Sequence, residues 1–145
     1  MQVADIPHVL EMASSLPKAP HWLEDVYVRS LDPNARPERI ALVADDPESG
    51  LAGFAVAVLI PPQAELETIA VARLTQRRGI GASLLAELVE NLKYRHVTEV
   101  MLEVRESNRA ARAFYDSAGF AEAGRRNGYY SDPKEDAILL ARRIP

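Results

Sequence analysis

Apolar positions recur along the chain with two different periods, and the switches between them predict its elements. Near the start, Ile6, Val9, Leu10 and Ala13 return at helical spacing, with Asp5 placed as an N-cap and Pro7 in the first turn. The prolines within residues 17–20 end that helix. A second short amphipathic helix is predicted over residues 22–31, stopped by Asp32-Pro33. Two strand-like runs follow, 39–44 and 51–60, and the turn-forming composition of 45–50 between them makes an antiparallel hairpin. Pro61-Pro62 breaks the second run, and a third strand is predicted over 65–71. The clearest helix spans 79–94, where Leu84, Leu85, Leu88, Val89 and Leu92 form one broad stripe. Residues 99–104 alternate like a strand. Ser107 is positioned to cap a helix over 108–118, and Gly119 stands where a left-handed C-terminal residue belongs. Strands over 120–124 and 136–141 complete an α+β chain with one central sheet.

Composition narrows the function classes. The 145 residues match one domain, 1–145, long enough to bury a core without staples. The absence of cysteine excludes a disulfide framework, a thiolate metal site and a cysteine nucleophile, and it fits a reducing cytoplasm. The longest apolar run, 51–60, is strand-sized, and the N-terminus lacks the pattern of a signal peptide, so no membrane partner is expected. A net charge of -4 argues against a dedicated nucleic-acid binder. His8, His21 and His96 show no metal-ligand spacing, and no metal is expected.

The strongest chemical signal is Gln76-Arg77-Arg78-Gly79-Ile80-Gly81, between a predicted strand and the long helix. A helix N-terminus presents unpaired N–H groups and partial positive charge, so it suits an anion. Gly79 and Gly81 let a ligand approach the backbone, and Arg73, Arg77 and Arg78 add charge suited to a pyrophosphate. The plainer reading is a glycine-kinked turn with solvated arginines. A P-loop is excluded because its Gly-Lys-Ser/Thr run is absent. A dinucleotide fingerprint is a closer rival. It ranks second because Leu84 stands at its third glycine, Glu99 begins its strand rather than ending it, and the basic loop is long for a tight Rossmann turn.

Here the chain resembles the GNAT acetyltransferases: Gln76-x-x-Gly79-x-Gly81 is similar to their coenzyme A loop. Within that superfamily it resembles the ribosomal-protein-alanine N-acetyltransferases, the RimI type. The further likeness lies in Ile69-Ala70-Val71, in Leu102-Glu103-Val104-Arg105-x-Ser107-Asn108, in Phe114-Tyr115-x-Ser117-x-Gly119-Phe120, and in Arg126-Asn127-x-Tyr129-Tyr130 with Glu135-Asp136-Ala137. It covers about residues 65–143. The glycine loop is superfamily-wide, whereas the later combination is much more selective.

The resemblance implies a GNAT fold, with a mixed, mostly antiparallel sheet in which two central strands splay apart around the pantetheine arm of acetyl-CoA. The backbone of Ile69, Ala70 and Val71 would hold that arm. Gln76 with Arg77, Arg78, Gly79, Ile80, Gly81 and Ala82 would hold the pyrophosphate, and Asn108 would contact the coenzyme. Glu103 matches the general base and Tyr115 the general acid. Independently of the resemblance, Leu102 and Val104 point to one sheet face and leave Glu103 on the other. Both also have plainer readings, Glu103 as a solvent-facing or ion-paired strand residue and Tyr115 as helix packing. Glu67 is a second base candidate or an exposed strand carboxylate. Tyr129 and Tyr130 line an acceptor cleft or simply pack.

An acetyl transfer of this kind makes chemical sense of those groups. An N-terminal amine titrates near ~8 and lysine near ~10.4, so both are largely protonated at neutral pH and a base helps. With no cysteine, direct attack in a ternary complex replaces an acyl-enzyme. The implied acceptor is the N-terminal alanine of a ribosomal protein. The alternatives are a small amine acceptor or a non-catalytic acyl-CoA sensor. The chain departs from the family in three places. Only residues 1–4 precede the first helix where relatives carry a strand, Ala72-Arg73 replaces the usual Asp/His-Pro, and Ala82 stands where a basic residue is common.

Overall fold

The strand run 51–60 is apolar at nearly every position, which requires burial on both faces, and the fold supplies it. A computed structural model describes residues 1–145 as six strands in the order β1-β2-β3-β4-β6-β5. The strands are β1 (Arg39–Asp46), β2 (Gly50–Ile60), β3 (Gln63–Val71), β4 (Glu99–Arg105), β5 (Ala121–Tyr130) and β6 (Glu135–Arg143). Four helices flank them: α1 (Ile6–Ser15), α2 (Glu24–Ser30), α3 (Ile80–Tyr94) and α4 (Arg109–Ser117). On one face, Ala55, Ala57 and Leu59 of β2 pack with Leu85, Leu88, Val89 and Leu92 of α3 and with Tyr115 of α4. On the other, Phe54 and Val56 pack with Ile6, Val9 and Met12 of α1 and with Tyr27 of α2. Each fully buried large side chain contributes roughly 1.5–3 kcal/mol, so α3 is the best-anchored helix.

Every strand pair is antiparallel except β3 with β4. That parallel pair holds only from Gln63↔Glu99 to Glu65↔Met101. Beyond it, residues 66–71 and 102–105 have no partner across the gap. A β-bulge begins the divergence: Val56 faces Thr68 while Ala57 faces Leu66, so Glu67 has no partner on β2. The extra residue shifts the alternation, and Leu66 and Ile69 both turn toward α3. Gly53 brings α3 close to the sheet. A Cβ there would lie 2.8 Å from the Ala70 carbonyl oxygen and 3.1 Å from Leu84 Cδ1.

No strand precedes α1, in line with the few residues before it, and several other elements differ from the sequence reading. A 3-10 turn, Val3–Asp5, occupies that stretch, and the Met1 ammonium donates to the Ala41 carbonyl at 3.0 Å. Asp5 occupies the N-cap position of α1, but its carboxylate accepts from Gln2 N at 2.7 Å rather than from the helix. Helix α2 starts at Glu24 because Leu23 is extended, and α4 is capped by Asn108, not Ser107: its Oδ1 accepts from Ala111 N at 3.2 Å. The largest difference is β5, which runs to Tyr130 rather than stopping near 124. It is an edge strand exposed along most of its length, so no apolar alternation marks it, and ladder bonds to β6 define it instead. No helix is long and apolar enough to cross a membrane.

Candidate active site

The gap between β3 and β4 opens a cleft of about 880 Å³. Glu67, Thr68, Ile69, Ala70 and Val71 form one wall, and Glu103, Val104 and Arg105 form the other. Asn108, Ala111 and Tyr115 come from the start of α4 and its approach, Arg73 and Gln76 from the loop after β3, and Tyr130 from the end of β5. Residues 16–20 strap across the opening, and Lys18 Nζ donates to Asn108 Oδ1 at 3.3 Å.

The walls carry hydrogen-bonding capacity that the fold leaves unused. Ala72 N donates to Ala52 O at 2.8 Å, and Phe54 faces Ala70. By antiparallel alternation, the bonds to β2 fall on Thr68, Ala70 and Ala72, so Ile69 and Val71 turn their peptide groups into the gap. Gln76 Nε2 donates to the Val71 carbonyl at 3.1 Å and ties the loop to the strand end. Thr75 is buried and anchors the loop below, donating to Ala52 O and Ala72 O at 3.2 and 3.0 Å. Arg77 and Gly79 both take left-handed conformations, φ 64° and 79°, and turn the chain into α3. The N–H groups of Arg77, Arg78, Gly79, Ile80, Gly81 and Ala82 find no acceptor in the chain, and Ser83 is the first that does, at 3.0 Å from Gly79 O. Such a row of free donors at a helix N-terminus fits a diphosphate. A Cβ on Gly81 would lie 3.5 Å from the Phe114 ring and 3.7 Å from Val71 Cγ2, which puts this helix end beside the end of β3. Arg78 leans away, 3.4 Å from Asp46.

The candidate acid–base groups sit in two contrasting environments. Tyr115 is buried between Phe114 and Phe120, at ring-centroid distances of 5.1 and 5.5 Å. Burial pushes its phenol up to about 12, so it stays protonated across the physiological range. Glu103 is recessed, its side chain 15% exposed, and pairs with Arg126 Nε at 2.9 Å. Glu67, on the bulge, is held by Arg39 through two bonds of 2.8 and 3.0 Å. Glu65, which the sequence reading passed over, is raised by burial first and then by the charges of Glu103 and Glu67. Its signal was its place two residues before Glu67 on the same strand.

Tyr130 lines the cleft with Arg105 stacked 4.3 Å from its ring centroid. Burial and the nearby Glu103 charge raise its phenol. Tyr129 does not line the cleft. It is half-exposed, edge-on to Tyr130 and beneath Arg126. The structure thus brings Glu67, Ile69, Ala70, Val71, Gln76, Glu103, Asn108, Tyr115 and Tyr130 to one cleft. Sequence reasoning missed the strap with Lys18, and Arg39 as the partner of Glu67.

Comparison with known proteins bears on the family and the fold. The model of the Acetyltransferase (GNAT) family matches residues 8–120. The [ribosomal protein bS18]-alanine N-acetyltransferase of Escherichia coli strain K12 is 35% identical over 146 residues, covering 97% of this chain and 93% of that protein. The enzyme of the same name from Salmonella typhimurium is 44% identical over 104 residues, covering 70% of this chain and 68% of its own. The crystal structure of the Escherichia coli ribosomal-protein-S18-alanine N-acetyltransferase superposes with a TM-score of 0.84 at 33% identity, covering 99% of this chain and 90% of that one.

Proposed function

The chain belongs to the GNAT acetyltransferase family and is an acetyl-CoA-dependent N-acetyltransferase, and on that premise we propose that its acceptor is the free N-terminal alanine of a ribosomal protein. The names of relatives matched along most of their length support the acceptor class. One observation carries the site assignment: Glu103 and Tyr115 line a single cleft from opposite surroundings, one ionic and one apolar.

Acetyl-CoA supplies the acyl thioester. The free N–H groups around Gly79 and Gly81 hold its diphosphate, and the unpaired edge of β3 at Ile69 and Val71 holds its arm. Ala70, between them, bonds to β2 and stiffens that edge, while Asn108 flanks the arm from α4. Glu103 takes the proton that the acceptor ammonium must lose, and the Tyr115 phenol gives one to the departing sulfur. Glu67, gripped by Arg39, orders the wall and is not the base. Tyr130 borders the acceptor end, beneath Arg105. Residues 1–145 act as one catalytic unit. With no cysteine in the chain, an acyl-cysteine is impossible, so attack on the thioester is direct.

Mass spectrometry of a peptide panel with acetyl-CoA tests this reading. We expect one added acetyl group on peptides with a free N-terminal alanine. Products found only on N-terminally blocked, lysine-containing peptides, or on none, would overturn it.

A further inference from the structure

We infer that Arg126 is a removable counter-ion for Glu103, a cation that holds the acceptor's place and leaves when the acceptor's own ammonium arrives. The inference rests on the reading of Glu103 as the base. Arg126 lies on the part of β5 beyond residue 124 that sequence patterning did not reveal.

The two partners of this ion pair are unequal. Glu103 is fixed in β4 with 15% of its side chain exposed, whereas Arg126 reaches in from solvent with 60% exposed. A neighbouring pair shows the contrast. Arg39 grips Glu67 through two bonds and is itself only 24% exposed. Arg126 makes a single ionic contact with Glu103, Nε to Oε1 at 2.9 Å. A bidentate, recessed pair is built to stay, and a single-point, solvent-open pair is weak and exchangeable.

The backbone beneath Arg126 is suited to the exchange. The β5–β6 ladder pairs Arg126 with Ala137 and resumes only at Tyr130 with Glu135. Arg126 is therefore the last paired residue before a bulged stretch. Gly128 within it has φ 61°, and its N–H is held by Asp136 Oδ1 at 2.8 Å. A second resting place is already in contact. The Arg126 guanidinium carbon lies 5.2 Å from the centroid of Tyr129, outside the cleft. Leaving Glu103 does not strand the charge, because an aromatic face receives it.

The chemistry supplies the reason. An amine acceptor arrives mostly as an ammonium, the same charge type that Arg126 offers Glu103. The amide product is neutral and has no claim on that carboxylate. Arg126 then returns, which keeps the recessed charge paired between turnovers. Arg126 is thus a positioning residue acting through Glu103. Its effect falls on the apparent affinity for acceptor rather than on affinity for the acetyl donor.

Steady-state kinetics at saturating acetyl-CoA, with a free Ala-starting peptide as acceptor, test this. Arg126→Ala and Arg126→Gln are expected to lower the acceptor KM about two- to fivefold, the span of an exposed single-point pair. The KM for acetyl-CoA should move by less. Arg126→Lys, which keeps a cation, should restore most of the wild-type acceptor KM. In a Glu103→Gln background, removing Arg126 should leave acceptor binding, read by calorimetry, unchanged. An acceptor KM that stays level or rises in both neutral variants would overturn the inference. A rise would mean that Arg126 recruits the acceptor instead. The two readings fail separately. Wild-type turnover by Glu103→Gln sinks the base assignment, whereas an inactive Glu103→Gln with no KM drop at Arg126 sinks only the counter-ion.

Discussion

The two walls of the cleft are held by different physics. The β3 wall rests on β2 and α3, with Leu85, Leu88 and Leu92 beneath it, and it offers the gap backbone N–H and C=O groups. The opposite side, formed by β5 and its turn into β6, is held by side-chain ion pairs. Arg125 pairs with Glu106 and Asp136 at 2.9 and 3.0 Å, and Arg105 with Glu135 at 3.3 Å. A coenzyme is the same molecule in every cycle and suits a rigid backbone mould. An acceptor must enter and leave, and the exposed pairs of Arg125, of about 0–1 kcal/mol, rearrange cheaply.

The largest effect should come from the groups where the walls meet. Glu103→Gln and Tyr115→Phe are each expected to lower kcat by on the order of 10²-fold or more, measured at saturating substrates. Near-wild-type rates in both would dissolve the distinction between an ionic and an apolar wall at the chemical step. Next is the alkaline stability of Tyr115. Its folded phenol is raised from 10.0 to about 12, so between those values the folded state binds the extra proton. Stability from this group is fully present below pH 10 and is lost as pH rises toward 12, by roughly 2–3 kcal/mol. Denaturant melts across that range should show a shallower loss for Tyr115→Phe. Equal slopes would mean that the phenol is not desolvated.

A smaller effect tests the mould itself. Gly53→Ala puts a methyl 2.8 Å from a backbone oxygen, which should cost roughly 1–3 kcal/mol in a urea melt and raise the KM for acetyl-CoA. Unchanged stability would show that α3 can retreat. The smallest effect belongs to Arg78, 60% exposed beside Asp46. Arg78→Ala should leave the melt within about 0.5 kcal/mol and raise the KM for acetyl-CoA by no more than about fivefold. A large change in stability there would mean that the basic loop is structural.

What patterning revealed follows the same division. The stripe of α3 and the continuous apolar run of β2 were legible because burial selects their residues position by position. The face of Glu103 was legible too, since Val100, Leu102 and Val104 lie in the core opposite it. Edge strand β5 was half lost, because exposure on both sides leaves no period to read. The bulge at Glu67 was invisible for another reason. It is a mismatch between two strands, and neither strand carries it alone. The same holds for Arg39 with Glu67, 28 residues apart in sequence. The expected roles of Ile69, Val71 and Asn108 came from family likeness, because free backbone groups leave no trace in side-chain patterning.

A sheet split down its middle has four borders instead of two, and the inner pair is an open template for any extended chain. Here those borders face a cleft that is also lined by residues 16–20 and by α4. A slender ligand can enter. The amides of Ile69 and Val71 should therefore exchange with deuterium quickly in the free protein and slowly once the slot is filled. The melting temperature should climb with coenzyme concentration by mass action. The slot lets its occupant complete the sheet, so part of the protein's cohesion arrives with each cycle and departs with it.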